Sequence, residues 1–258
     1  MSKSVADAFT RGKAFIPFIT AGDPTIDTTK ELVFAMEEAG ADLIELGIPF
    51  SDPTAEGPVI QEANIRALGG GVTTDKIFDM VRDIRKKTDI PMVFMTYANV
   101  VFSYGTERFI ETSKQVGING LILPDVPFEE KEEFSPACDK YGLDFISLIA
   151  PTSHDRIRMI AGQAKGFVYC VSSLGVTGVR SEITTDIGAM VELVREANPN
   201  IPACVGFGIS NPQTASKMAA VSDGVIVGSA IVKIIAEHGK NAVPYVRDFV
   251  KEMKDAIR

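Results

Sequence analysis

The chain has no tryptophan, two histidines and three cysteines in 258 residues. Cys138, Cys170 and Cys204 are odd in number and widely spaced, with no C-x-x-C pair, which argues against structural zinc and against a disulfide framework. Each lies in an apolar or helical pattern and reads as a buried thiol packing as a small hydrophobe. His154 and His238 are too few for a histidine-rich metal site, and neither stands at a strand end to serve a serine triad. Long apolar runs are missing too. None is long enough to cross a bilayer, and the opening MSKSVADAFTRGKAF has no apolar h-region, so a cytoplasmic protein is expected. Cations are in deficit, 26 Lys and Arg against 34 Asp and Glu, for a formal net charge of −8. That balance repels nucleic acid and anionic membrane, while a local cationic pocket stays open.

What is present is a regular beat. Short apolar runs recur at 15–20, 42–47, 92–97, 120–124, 144–149, 167–172, 202–207 and 224–227. Between them lie amphipathic stretches: Leu32, Val33, Ala35, Met36 and Ala39 keep helical spacing, as do Phe134, Ala137, Cys138 and Tyr141. Eight strands alternating with helices predict a parallel sheet, and eight is the number that closes a (β/α)8 TIM barrel. A doubly wound open sheet is the competing architecture, but no G-x-G-x-x-G follows the first strand. With 45% hydrophobic residues and no linker-like segment, one barrel can absorb all 258 residues as a single domain. Two connections are long, those after the second and sixth strands, and both are expected over the barrel mouth as functional loops.

Glu45 is a carboxylate inside the apolar run Ala41–Gly47, beyond the Asp42 at its start and at the C-terminal end of the second strand, where barrels place their chemistry. Burial there is expensive unless the group is paired or used. The plain alternative is an ion pair, but none of the eight runs holds an Arg or Lys. Its apolar setting predicts a raised pKa and a proton carried near neutrality. Glu56 is the second candidate. Pro58 predicts a helix start beside it, which should hold this carboxylate in its charged form; simple capping or exposure is the alternative. Glycines gather after the last three strands, at Gly175 and Gly178, Gly206 and Gly208, and Gly228 with Ser229. Gly228-Ser229-Ala230 opening a helix fits a phosphate cradle of backbone N–H groups, although tight turns would use the same residues. Tyr169 is either core filling or a hydroxyl that orients substrate. Asp23 and Asp125, each close to a proline, are at least as well explained by turns as by catalysis. No strand end carries a lysine for Schiff-base chemistry, which leaves carboxylate acid–base chemistry on a phosphorylated substrate.

The stretches PFITAGDP, IELGIPFSDPTAEGP, MTYANVV, GLILPDVP, YCVSSLGVTG, GFGIS and GSAIVKII, in this order through nearly the whole chain, resemble the alpha chain of tryptophan synthase. The resemblance implies a (β/α)8 barrel that cleaves indole-3-glycerol phosphate to indole and glyceraldehyde 3-phosphate. It implies a partner, the beta chain, in an α2β2 assembly, with pyridoxal phosphate in that partner and no cofactor or metal in this chain. Glu45 then falls on the catalytic glutamate and Glu56 on the second catalytic carboxylate. Phe18, Ile60, Tyr169 and Thr177 fall on substrate-binding positions, and Gly178, Gly208, Gly228 and Ser229 on phosphate-binding ones. The chain departs from the family pattern in DPTAEGP, where DPLADGP is usual, and at Ser173, where arginine is frequent. Misplacing a carboxylate by roughly an ångström can lower a rate about a hundredfold. Two further readings therefore stand beside the first: a stand-alone indole-3-glycerol phosphate lyase, and a weakly catalytic barrel that mainly activates a partner.

Overall fold

The computed structural model describes residues 3–171, 186–206 and 208–258. Its strands are β1 (Ala14–Thr20), β2 (Ile44–Gly47), β3 (Met92–Met95), β4 (Gly120–Ile122), β5 (Asp144–Phe145), β6 (Ser147–Ile149), β7 (Val168–Val171), β8 (Ala203–Gly206) and β9 (Gly224–Val227). They pair side by side in the order β5-β4-β3-β2-β1-β9-β8-β7-β6, and every pairing is parallel. The expected fifth strand is therefore broken in two. Its first half pairs with β4, its second half with β7, and Ile146 between them turns inward. One extended segment changes partner at that residue, and this is how the ring comes round on itself.

Strict alternation then divides the apolar residues. Ile16, Leu43, Val93, Ile122, Ile146, Phe167, Tyr169, Cys204 and Ile226 pack inside the barrel, and Val5 and Ala8 close its lower end. Phe15, Ile19, Ile44, Leu46, Phe94, Cys170, Val205 and Val225 face outward, under the helices. Both faces of most strands are buried, β5 and β6 being partly exposed, which is why the runs read as continuous rather than alternating.

The helices are α1 (Ile26–Glu38), α2 (Pro58–Gly69), α3 (Thr74–Ile84), α4 (Ala98–Tyr104), α5 (Thr106–Val116), α6 (Ser135–Tyr141), α7 (His154–Gly162), α8 (Ile187–Ala197), α9 (Pro212–Val221), α10 (Ser229–His238) and α11 (Val243–Asp255). Pro58 stands at the first turn of α2, as its fixed φ and missing N–H predict. The long connection after β2 is filled by the loop to α2, then α2 and α3. Much of the loop after β7, with Ser173, Gly175, Thr177 and Gly178, lies outside the described residues.

Buried charge outside the pocket is paired. Asp42 accepts from Lys254 Nζ at 2.7 Å and from the Phe15 backbone N–H at 2.8 Å, tying β2 to α11 at the barrel's lower end. At the upper end Arg66 grips Asp23 with two parallel bonds of 2.8 Å, which fix α2 over the end of β1. Asp23 is thus a structural carboxylate. Asp125 accepts from the Ala98 backbone N–H at 3.1 Å, at the first turn of α4. No helix among the described residues is long and apolar enough to cross a membrane.

Candidate active site

Parallel strands all end at the same rim, so side chains from separate strands converge there. A pocket at this rim is lined by Phe18, Glu45, Glu56, Ile60, Met95, Tyr97, Pro124, Leu148, Tyr169, Gly208, Ile226, Gly228 and Ser229, with Ala55 and Ile209. The structure thus brings together eight of the ten residues expected from the sequence. The other two, Thr177 and Gly178, lie outside the described residues.

Glu45 pairs in register with Phe18 on β1 and Val93 on β3, and it points inward as Leu43 does below it. It is 1% exposed, and its Oε2 has no hydrogen-bond partner among the described residues. Burial alone raises its pKa to about 8, so it holds a proton at neutral pH.

Glu56 corrects an expectation. The helix start was expected to keep it ionised, yet α2 is capped at Gly57 and Glu56 stands one residue outside. Burial prevails over the helix end and raises its pKa to about 7. The hydrogen bond from Asn64 and the neighbouring Tyr97 hydroxyl oppose the rise without cancelling it. At pH 7 the group is therefore divided between acid and carboxylate.

Phe18, Ile60, Ala63 and Val232 form an apolar wall with Met95, a fit for a flat hydrocarbon ring. Tyr169 stands across β7 with its hydroxyl buried, and burial places that hydroxyl well above its ordinary pKa. Gly206 on the next strand makes room for it, because a Cβ there would come within 2.6 Å of the tyrosine oxygen.

The glycine rim has two different parts. Gly208 takes φ +78°, a left-handed conformation that disfavours any side chain. The two nearby helix starts also differ. Asn211 caps α9 by accepting from the Thr214 N–H at 2.9 Å, so that end is satisfied internally. Gly228 begins α10 with no side-chain cap, leaving backbone N–H groups for an anion. Gly208→Val and Gly228→Val are expected to weaken binding of a small phosphate ester about tenfold or more, the loss of a charge-assisted hydrogen bond or two. Calorimetric titration checks this, and unchanged affinity in both folded variants would make these glycines turns only.

Sequence reasoning passed over Tyr97, Asn64, Met95, Pro124 and Leu148. Tyr97 and Met95 sit at the end of a correctly placed strand run, and alternation from Val93 would have turned both inward. Asn64 shares the buried face of α2 with Ile60, Ala63 and Ala67, and a polar residue in that stripe was the available signal.

Fold and site together define a (β/α)8 barrel that presents one buried and one half-buried carboxyl group, an apolar slot and a helix start with no side-chain cap around one mouth. The chain belongs to the tryptophan synthase alpha chain family, whose model matches residues 6–258. A tryptophan synthase alpha chain from Caldanaerobacter subterraneus subsp. tengcongensis is 51% identical over 95% of this chain and 94% of its own length. The crystal structure of tryptophan synthase subunit alpha from Legionella pneumophila is 37% identical and superposes with a TM-score of 0.89, covering 100% of this chain and 98% of that one. A chain from the tryptophan synthase α2β2 complex of Pyrococcus furiosus is 35% identical with a TM-score of 0.84, over 99% of this chain and 100% of that one.

Proposed function

We propose that this chain is the alpha subunit of a tryptophan synthase and cleaves indole-3-glycerol phosphate to indole and glyceraldehyde 3-phosphate. The observation that carries the reading is Glu45, a fully buried carboxyl with an oxygen unpaired among the described residues, protonated at neutral pH and facing an apolar slot. In the proposed step Glu45 gives its proton to indole C3, the carbon that bears the glycerol chain. Positive charge then develops at the indole nitrogen, whose N–H donates to the Glu56 carboxylate. The bond from C3 to the chain breaks, its electron pair restores the indole ring, and the adjacent hydroxyl becomes the aldehyde. That hydroxyl's proton returns to Glu45, whose burial disfavours the anion and drives recapture. One proton is given and one recovered, so the step balances with no metal and no cofactor as reactant. The phosphate is assigned to Gly208, Gly228 and Ser229 together with Gly178, and the substrate's indole part to Phe18, Ile60, Tyr169 and Thr177, of which Gly178 and Thr177 lie outside the described residues.

The partner proposed is a beta chain in an α2β2 assembly, with pyridoxal phosphate held there. The alpha–beta complex from Pyrococcus furiosus supports this, as does an exposed aromatic beside the mouth. Phe102 on α4 is 50% exposed, whereas Tyr104 and Phe128, which also follow strand ends, are half-buried. Tyr104 donates to Asp75 at 2.7 Å, and Phe128 lies under the Lys131 ammonium. Phe102→Glu is thus expected to weaken assembly with a beta chain more than Phe128→Glu, with phosphate affinity unchanged; sedimentation velocity reads both. Wild-type assembly by both variants would move the interface elsewhere.

The test of the reaction itself is release of indole and glyceraldehyde 3-phosphate, in equal amounts, from indole-3-glycerol phosphate with and without the beta chain. No release in either condition overturns the reading. Stimulation of the partner without release would leave only the activator role.

A further inference from the structure

Glu56 is held in the pocket by two side chains from separate elements. Asn64, one helical face away on α2, donates from Nδ2 to Glu56 Oε2 at 2.7 Å. It is 4% exposed and is the one polar member of the stripe Ile60, Ala63, Asn64 and Ala67. A buried amide in such a stripe lowers stability unless it finds a partner, and the partner here is the carboxylate. Tyr97, between β3 and α4, is 2% exposed. Its hydroxyl lines the same pocket beside that carboxylate and accepts from the Ala55 backbone N–H at 3.2 Å, which leaves its own proton to donate toward Glu56. Its ring packs on Phe50 with centroids 5.3 Å apart. One tyrosine thus fixes the loop after β2 at both ends, Phe50 on one side and Ala55 with Glu56 on the other.

We propose that Asn64 and Tyr97 are positioning residues for Glu56, holding the longer glutamate side chain as an acceptor aimed at the indole N–H. The inference rests on the role proposed for Glu56 above and deepens it. A glutamate has one more rotatable bond than the aspartate usual in the family, and free rotation would take its carboxylate off the reaction axis. Two donors arriving from different elements define where both oxygens can lie. Both donors also favour the charged form, against the burial that raises its pKa. The titratable groups around it are Tyr97, Glu45 across the pocket, and Asp125 beyond Tyr97, with no cation among the hydrogen-bond and ion-pair partners of Glu56 in the described residues. The amide and the phenol therefore take the place a cation would have.

The test is kinetic and uses the whole chain, alone and with its beta chain. Tyr97→Phe keeps the ring on Phe50 and removes only the hydroxyl. Asn64→Leu keeps the volume and completes the apolar stripe, so its Tm should equal or exceed that of the parent. Each is expected to lower kcat about tenfold with little change in KM, and to move the acidic limb of kcat/KM up by about one pH unit. In a Glu56→Ala background neither should lower activity further, since the group they position is gone. Equal losses in both backgrounds, an unmoved acidic limb, or loss of Tm in step with kcat would each overturn the positioning role. Wild-type activity in Glu56→Ala by itself would instead sink the catalytic role of Glu56, so the two failures are told apart.

Discussion

Glu45→Gln is expected to abolish cleavage while the barrel stays folded. The amide matches the carboxyl in shape and can fill the same place at the end of β2, but it cannot give a proton to C3 or take one from the hydroxyl. Acid–base groups typically supply about 10²–10⁴-fold, or roughly 3–5 kcal/mol of barrier. Here one residue serves both transfers, which places the loss at the upper end. A stopped indole-release assay on purified protein measures it, and near-native turnover in folded Glu45→Gln would end the proposal. Stability gives a second, independent readout. The folded-state pKa of Glu45 is about 8 against an ordinary value of 4.5. Between those values the folded chain keeps a proton that the unfolded chain has released. Wild-type stability therefore falls, relative to Glu45→Gln, as pH rises from about 4.5 through about 8. The difference levels off above that at an order of a few kcal/mol. Melting curves at pH 5 and pH 9 should show the variant gaining on the wild type at the higher pH. An unchanged gap would mean that Glu45 is not buried as a neutral acid.

Glu56→Ala is expected to lose most activity, and Glu56→Asp to keep part of it. The alanine leaves the developing indole cation without a counter-charge, and removing one such preorganised group typically lowers kcat about 10²–10³-fold. The aspartate retains the charge but ends one methylene short of the place set by Asn64 and Tyr97. Its expected activity lies between the two. The pH profile follows from the pair. Glu56 must be ionised and Glu45 protonated, so kcat/KM should be bell-shaped, rising near pH 7 and falling near pH 8. These limbs belong to two carboxyl groups lining one pocket and are macroscopic values of the pair. Glu56→Ala should remove the acidic limb and leave the basic one. Wild-type kcat/KM in Glu56→Ala, with or without the beta chain, would show that one carboxyl suffices.

Legibility in the sequence followed the range of the forces involved. Glu45 could be read at once, because a lone charge in an apolar strand contradicts its own neighbours and strand position alone says where it ends. The start of α2 at Pro58 and of α10 at Ser229 were equally local, since proline geometry and a glycine before an apolar helix act within one turn. The protonation of Glu56 was not local. Pro58 and the helix end argued for an anion, but the deciding term was burial by the walls of the pocket, which outweighs even the asparagine eight positions downstream and the tyrosine from after β3 that favour the charged form. The fifth strand misled for the same reason. Its run is continuous in sequence, and only the two different neighbours that flank it in space divide it at Ile146.

Alone, the sequence determined the eightfold strand–helix beat, the carboxylate at the end of the second strand and the glycine-rich rim. Each of these is encoded by hydrophobic period or backbone stereochemistry over a few residues. Tertiary structure alone decided which buried charges are neutralised and which are left to react. Asp42 meets Lys254 from 212 positions away and Asp23 meets Arg66 from 43, while Glu45 is left with an oxygen that no described group satisfies. Burial and pairing depend on distance in space, and a carboxyl at the rim of a closed barrel takes its neighbours from strands and helices spread along most of the chain.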